Sequence, residues 1–316
     1  MLDVRKNQTI FSNIEHPITN LEIDMKRKEF LSTISGLIGM TTIGTLKAFS
    51  ENLAIHEEKT PLLFIGHGSP MNGIEDNSFS QSWGELGKEL VEPKAIICIS
   101  AHWLTKGTFI TAMEKPKTIH DFGGFPKALF DVEYPASGNI ELAKETKQLI
   151  TKTNVGLDHE WGLDHGTWSV VKQMYPKANI PVLQLSIDYY QSSHYHYELA
   201  QELAVLRRKG VLIIGSGNMV HNLRMAAFDK MDVPNYGFDW TVEINEKFKK
   251  HILDKDHKPL INYESLGSSA KLAIPTPDHY YPLLYILGMQ EKNEQATIFN
   301  DVAVAGALTM TSVRIG

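Results

Sequence analysis

Histidines follow three of the apolar runs in this chain, and imidazole is a side chain that can ligate a metal or transfer a proton. The run "LLFIG" leads to His67, "AIICISA" to His102 and "VLIIGSGNMV" to His221. A fourth histidine, His279, lies in the proline-framed segment "PTPDHYYP" before the apolar "LLYIL". Imidazole titrates near neutral pH and is the commonest metal ligand. The positions of these residues therefore predict a metal site, acid–base chemistry, or both.

The elements that would position these histidines are those of an α/β domain. The apolar runs are short and continuous, which is typical of strands buried on both faces. Amphipathic stretches such as residues 139–153 lie between several of them and predict helices. This alternation predicts one α/β domain over residues 61–316, with a mixed, largely buried central sheet flanked by helices.

Open α/β sheets bind their ligands in the crevice at the carboxyl ends of the strands. The predicted sheet would bring at least His67, His102 and His221 to that edge. Their spacing matches neither a zinc finger nor an HExxH motif, so tertiary folding would have to assemble the site. Histidine-rich ligation suits Zn, Fe, Cu or Ni and does not suit Mg or Ca.

Two further histidines allow two interpretations each. His165 in "WGLDHGTW" is either an acid, base or substrate clamp beside the metal, or part of a polar turn pinned by buried indoles. His120 in "TIHDFGGFP" lies in a substrate loop or in an ordinary surface turn. The remaining histidines in polar contexts are predicted to be solvated: His159, His194, His196, His251 and His257.

Composition excludes several classes of protein. The chain has 316 residues, of which 42% are hydrophobic and 22% charged, enough for a large core. Its net charge of -6 argues against a nucleic-acid or membrane-surface partner. Cys98 is the only cysteine, so an intramolecular disulfide is impossible, and its apolar setting predicts a buried thiol. The "GSG" at 215–217 completes neither a dinucleotide fingerprint nor a P-loop, and "GHGSP" is not a GxSxG elbow.

Residues 1–60 are predicted to be an N-terminal extension with an export signal at about 25–50. Basic residues 26–28 precede an apolar run at 30–46, and small residues follow at 48 and 50. This is the order of a secretory signal, so Met25 is the expected start and the periplasm the expected location. "RKEFL" resembles a weakened twin-arginine motif with lysine as its second basic residue. If the segment is only an N-terminal helix, the protein stays in the cytoplasm.

Seven motifs, in order, carry a likeness to a known family. They are "GHGSPMN", "SAHW", "TIHDFGGFP", "WGLDHGTW", "QLSID", "SGNMVHNLR" and "PTPDHYYPLLY". Together they resemble the class III extradiol ring-cleaving dioxygenases, in the bacterial branch that looks like DOPA 4,5-dioxygenase. The resemblance runs from Pro61 to Gly316 and leaves out the first sixty residues.

This resemblance implies one mononuclear metal, Fe(II) for activity, with Zn(II) as a possible bound metal. It implies that His67 and His102 are ligands and that His279 is the third, where the wider class uses a carboxylate. His221 matches a catalytic base of the wider class and a fourth metal-contacting histidine of this branch. His165 would be an acid–base or substrate-positioning residue.

The activity implied is ring opening of a catechol, such as DOPA, with O2 to a muconic semialdehyde. The aromatic residues Trp103, Trp161, Trp168 and Phe122 would line the pocket or simply pack in the core. Two alternatives stay open: a zinc-dependent hydrolase, and a non-catalytic protein that binds metal or a small aromatic molecule. The sequence predicts neither the particular catechol nor the oligomeric state.

Overall fold

The computed structural model describes residues 58–316 of the chain. The predicted export signal and the start at Met25 lie outside the described residues, so both stay predictions. Within residues 58–316, no helix combines the length and apolar character needed to cross a membrane.

Twelve strands are present in the described part of the chain, six of them in one central sheet. In chain order they are β1 (Leu62–Gly66), β2 (Ala95–Ser100), β3 (Leu104–Thr105), β4 (Phe109–Thr111), β5 (Gly156–Asp158), β6 (Val182–Gln184), β7 (Ile187–Asp188), β8 (Val211–Gly217), β9 (Ala296–Phe299), β10 (Ala303–Val304), β11 (Leu308–Thr309) and β12 (Ser312–Ile315).

Ten α-helices connect and cover these strands within the same range. They are α1 (Ser78–Glu89), α2 (Lys127–Phe130), α3 (Ile140–Leu149), α4 (His165–Met174), α5 (Ser193–Gln201), α6 (Ala204–Arg207), α7 (Asp239–Leu253), α8 (His257–Ile261), α9 (Ser268–Ala273) and α10 (Tyr281–Gly288). Helix α3 lies inside the predicted stretch 139–153, and the Asn139 side chain caps it by accepting the N–H of Leu142.

The central sheet is mixed, with strand order β6-β2-β8-β1-β12-β9. Strands β6, β2, β8 and β1 run parallel, whereas β12 is antiparallel to both β1 and β9. Both faces of the sheet are covered by apolar side chains. In β1, Leu62 and Phe64 pack into one core cluster and Leu63 and Ile65 into the other, all fully buried. The predicted fold class is confirmed, and burial on both faces explains why the strands are continuously apolar.

Cys98 on β2 is fully buried in the second of these clusters. Burial raises the pKa of its thiol, because a thiolate would lose its hydration there. The prediction of a buried core thiol is therefore confirmed.

Candidate metal centre and active site

Three imidazoles meet at the carboxyl edge of the parallel strands. His67 directly follows β1, His102 lies two residues after β2, and His279 precedes α10. One ring nitrogen from each lies within 4.8 Å of the other two. The Nε2 atoms of His67 and His102 are 3.1 Å apart. The structure thus brings together three of the predicted site residues, with His67 and His279 buried and His102 half-buried.

Backbone contacts across the sheet edge hold this arrangement. The N–H of His67 donates to the carbonyl of Gly217, the last residue of β8. The carbonyl of His279 accepts the N–H of Asn218. A Cβ at Gly217 would lie 2.2 Å from that His279 carbonyl oxygen, so only glycine permits this close approach.

The outer nitrogens of two of these rings have well-defined partners. Nδ1 of His67 lies 3.0 Å from Oγ of Ser216, and that hydroxyl donates its own proton to the Gly166 carbonyl. Ser216 must therefore accept from His67, which fixes the proton on Nδ1 and leaves Nε2 as a bare acceptor. Nδ1 of His279 lies 2.5 Å from Oδ2 of Asp278, which fixes its proton in the same way.

The third outer nitrogen, Nδ1 of His102, lies 3.3 Å from Oδ2 of Asp121. All three rings thus place Nδ1 beside an oxygen, the arrangement by which proteins orient metal-ligating histidines. A buried set of imidazole nitrogens also has the chemistry that Zn, Fe, Cu or Ni requires. The donor set therefore fits a divalent transition metal.

Electrostatics favour the neutral form of these imidazoles, which is the form that ligates. Burial lowers the pKa of His67 and of His102 well below the usual histidine range. Repulsion from the neighbouring imidazoles lowers it further in both cases.

His221 lies beside this group, and its ring stacks on His279 with centroids 3.6 Å apart and planes 7° from parallel. Its backbone N–H donates to the carbonyl of Ala273. Burial, followed by repulsion from His279, lowers the pKa of His221 to about 3. His221 forms a second potential donor group with Asp278 and His279. The position suits either a fourth contact to the metal or a neutral base.

His165 begins helix α4 on the other side of His102, with ring centroids 3.9 Å apart. Its backbone N–H donates to Oδ1 of Asp121 at 2.9 Å, and its Nδ1 lies 3.0 Å from Oδ2 of the same carboxylate. Burial raises the pKa of Asp121, but the contacts with His165 outweigh it and leave that pKa lowered. An ionised Asp121 thus lies between the rings of His102 and His165.

Asp164, next to His165 in the chain, links the start of helix α4 to two strands of the central sheet. It is fully buried and accepts hydrogen bonds from Ser100 Oγ at 2.7 Å and Gln184 Nε2 at 2.6 Å. It also caps α4 by accepting the N–H of Thr167. These bonds tie β2, β6 and α4 together directly beneath His165.

Comparison with known proteins decides the family. Residues 60–312 match the model of the catalytic LigB subunit of aromatic ring-opening dioxygenase. The chain belongs to this family.

Named relatives agree with this assignment. The chain is 44% identical over 270 residues to an Escherichia coli K12 protein named 4,5-DOPA dioxygenase extradiol, covering 84% of this chain and 98% of the relative. It is 34% identical over 257 residues to a Beta vulgaris protein of the same name, covering 79% and 94%. A crystal structure of an uncharacterized Escherichia coli K12 protein superposes with a TM-score of 0.71 at 40% identity, covering 82% of this chain and all of that one.

The predicted resemblance to extradiol dioxygenases is therefore confirmed, and the chain is an enzyme of the aromatic ring-opening dioxygenase class. Members of the LigB family depend on a metal, and this member has a histidine-rich cluster able to hold one.

Three residues around the candidate site were not singled out from the sequence. Asp121 follows His120 and Asp278 precedes His279, and both histidines were singled out from the sequence. A carboxylate next to a candidate histidine could therefore have indicated both residues. Ser216 gives no local signal, because it reaches His67 only through the register that pairs it with Ile65 across β1 and β8.

The aromatic residues divide between the site and the core. The rings of Phe122 and His165 form a T-shaped pair with centroids 5.6 Å apart. Trp103 and Trp161 stack with centroids 5.7 Å apart, immediately after His102 and just before His165 in sequence. Trp168 is fully buried, and its indole N–H donates to the carbonyl of Ile119, so it packs in the core.

The prediction that His196 is solvated is wrong. Its side chain is fully buried on α5, where its Nδ1 lies 3.0 Å from the hydroxyl of Tyr285 on α10. Its ring also packs against Tyr281 with centroids 4.3 Å apart. A polar partner from another helix makes this burial possible, and nothing local in the sequence indicates that partner.

Proposed function

We propose that this protein is a metal-dependent extradiol dioxygenase that opens the ring of a catechol such as DOPA with O2, giving a muconic semialdehyde. The observation that carries the proposal is the convergence of one ring nitrogen each from His67, His102 and His279. The relatives named 4,5-DOPA dioxygenase extradiol support the choice of substrate.

His67, His102 and His279 would hold the metal through the ring nitrogens that face one another. When bound, the metal would polarise the phenolic oxygens and give O2 a place beside the ring. The burial of these side chains limits the access of water to the reacting groups.

His165 is the residue we assign to proton transfer. Asp121 lies beside its Nδ1, which favours the tautomer with the proton on that nitrogen and leaves Nε2 able to take a phenolic proton. Its place next to His102 puts this base within reach of a molecule bound to the metal. His221 remains a candidate for either a fourth ligand or a second base.

Fe(II) is the metal expected for ring opening, and zinc is its competitor. Non-haem Fe(II) oxygenases usually combine two histidines with one carboxylate, whereas three neutral imidazoles also suit zinc. The all-imidazole group is thus the specific observation that favours the second candidate, a zinc-dependent hydrolase.

The test is to strip the protein of metal, reload separate samples with Fe(II) or Zn(II), and add L-DOPA with and without O2. The proposal predicts a yellow ring-opened product only with iron and O2. Ester hydrolysis by the zinc form, together with no product from the iron form, would favour the hydrolase instead. Tight binding of L-DOPA without any turnover would indicate a binding protein.

A further inference from the structure

The candidate ligand group contains no carboxylate, yet a carboxylate contacts one of its members directly. Oδ2 of Asp278 lies 2.5 Å from Nδ1 of His279. This contact leaves Nε2 as the nitrogen of that ring available to a metal. The two side chains are 17% and 10% exposed. A charge–imidazole contact this well shielded from water is much stronger than one at the surface.

The segment that carries this pair is held in one conformation. The carbonyl of Pro277 accepts the N–H groups of both Tyr280 and Tyr281, which forms a turn around His279 just before helix α10. The side chain of Thr276 also hydrogen-bonds to Asp278. Asp278 is therefore aimed at His279 by its own backbone turn and by a second side chain.

We propose that Asp278 is a positioning residue that supplies, through the ring of His279, the negative charge that an all-histidine ligand set lacks. The proposal rests on the ligand set given under Proposed function. A carboxylate that accepts the Nδ1 proton makes Nε2 a more basic ligand and fixes the plane of the ring. Asp278 would thus take over part of the role of the carboxylate ligand in a two-histidine, one-carboxylate site.

Asp121 cannot take the same role to the same degree. Its Oδ2 is 3.3 Å from Nδ1 of His102 and 3.0 Å from Nδ1 of His165, so one oxygen is shared between two rings. Asp278 has the shorter contact, and that contact is with a ring of the ligand group. The geometry therefore makes Asp278, and not Asp121, the main carboxylate that supplies negative charge to the ligand group.

The test is Asp278→Asn, which keeps the size and an acceptor oxygen but removes the charge. We expect Zn(II) and Co(II) to bind about 10–100-fold more weakly, measured by chelator competition. The Fe(III)/Fe(II) midpoint potential of the iron-loaded protein should become more positive, because loss of a nearby negative charge favours Fe(II). Asp254→Asn, at an exposed acid paired with Lys250, is the matched control and should change neither quantity.

Two further variants separate the possible failures. His279→Ala should lose the metal; if it binds metal as the wild type does, the ligand set itself is wrong. If His279→Ala loses the metal while Asp278→Asn keeps wild-type affinity and potential, only the role of Asp278 is overturned. Asp278→Glu keeps the charge and should bind metal more tightly than Asp278→Asn. Equal losses in the two, with unfolding temperatures of the metal-free proteins unchanged, would also overturn it.

Discussion

Each imidazole of the candidate ligand group has its Nδ1 beside a side-chain oxygen. Ser216 on β8 contacts His67, Asp121 in a loop contacts His102, and Asp278 contacts its own neighbour His279. At the scale of single residues, each candidate ligand therefore works together with the side-chain oxygen that orients its ring. Removing a ligand and removing a base should have different consequences, because only the ligand is needed to retain metal.

His102→Ala should lose both metal and activity while the chain stays folded, because His102 is half-buried at the edge of the sheet and is not part of the core. Metal content by elemental analysis and far-UV circular dichroism check this. His194→Ala, on an exposed position of α5, is the control. A His102→Ala protein with its full metal content would refute the assignment.

His165→Ala should keep its metal but lose about 10²–10⁴-fold in kcat, the usual contribution of a positioned acid–base group. Steady-state kinetics on the iron-loaded variant, with metal content measured on the same sample, separates the two effects. If the variant loses its metal, His165 is a ligand, and the proposed division of roles is wrong.

At the scale of elements, the site depends on how closely the segment before α10 approaches β8. Gly217 ends that strand and faces the carbonyl of His279, whereas Gly84 lies inside helix α1 with only ordinary contacts. The two glycines therefore have different reasons for being glycine. One makes a close approach possible, and the other leaves a helix less stable than alanine would.

Gly217→Ala should destabilise the protein by about 1–3 kcal/mol and weaken metal binding, because the new Cβ must push His279 away. Gly84→Ala should stabilise it by about 0.5–1 kcal/mol and leave metal binding unchanged. Urea unfolding of both variants, with Zn(II) affinity measured alongside, tests this contrast. Unchanged metal affinity in Gly217→Ala would show that the close approach does not position His279.

At this scale, the sequence predicted the main strands and the placement of His67 and His102 at the carboxyl ends of parallel strands. Apolar runs before His67 and His102 are strands, and the rule for parallel strands places both histidines at one edge. The partner of Ser216 was not predictable, because it is set by pairing between strands about 150 residues apart in sequence. The burial of His196 was missed for the same reason, since Tyr285 reaches it from a different helix.

At the scale of the whole molecule, a buried ion pair far from the site links distant segments. Arg207 at the end of α6 donates from two guanidinium nitrogens to the carboxylate of Glu294, and their side chains are 1% and 4% exposed. Nζ of Lys59 lies 3.0 Å from the same carboxylate. This cluster joins the chain ahead of β1 to the segments that lead to β8 and β9.

This pair should make the stability of the fold depend on pH in acid. Burial raises the pKa of Glu294, but its contacts with Arg207, the Glu291 N–H and Lys59 together outweigh burial and lower that pKa from 4.5 to about 2. A lowered folded-state pKa stabilises the fold above the unfolded-state value, and this stabilisation is lost as the pH falls from about 4.5 towards 2. Urea unfolding between neutral pH and pH 3 measures the trend.

Glu294→Gln should be about 3–5 kcal/mol less stable at neutral pH, because Arg207 is left buried without its charge partner. Its stability should also fall less steeply in acid than that of the wild type. Parallel acid dependences in the two proteins would mean that other carboxylates govern the trend.

The measurement that tests the central claim most directly is the stoichiometry of O2 uptake by the iron-loaded enzyme with L-DOPA. Ring opening predicts one molecule of O2 consumed for each molecule of L-DOPA, with yellow product formed in step and no hydrogen peroxide. L-DOPA oxidised with formation of peroxide, or no O2 uptake by a fully iron-loaded sample, would contradict the account.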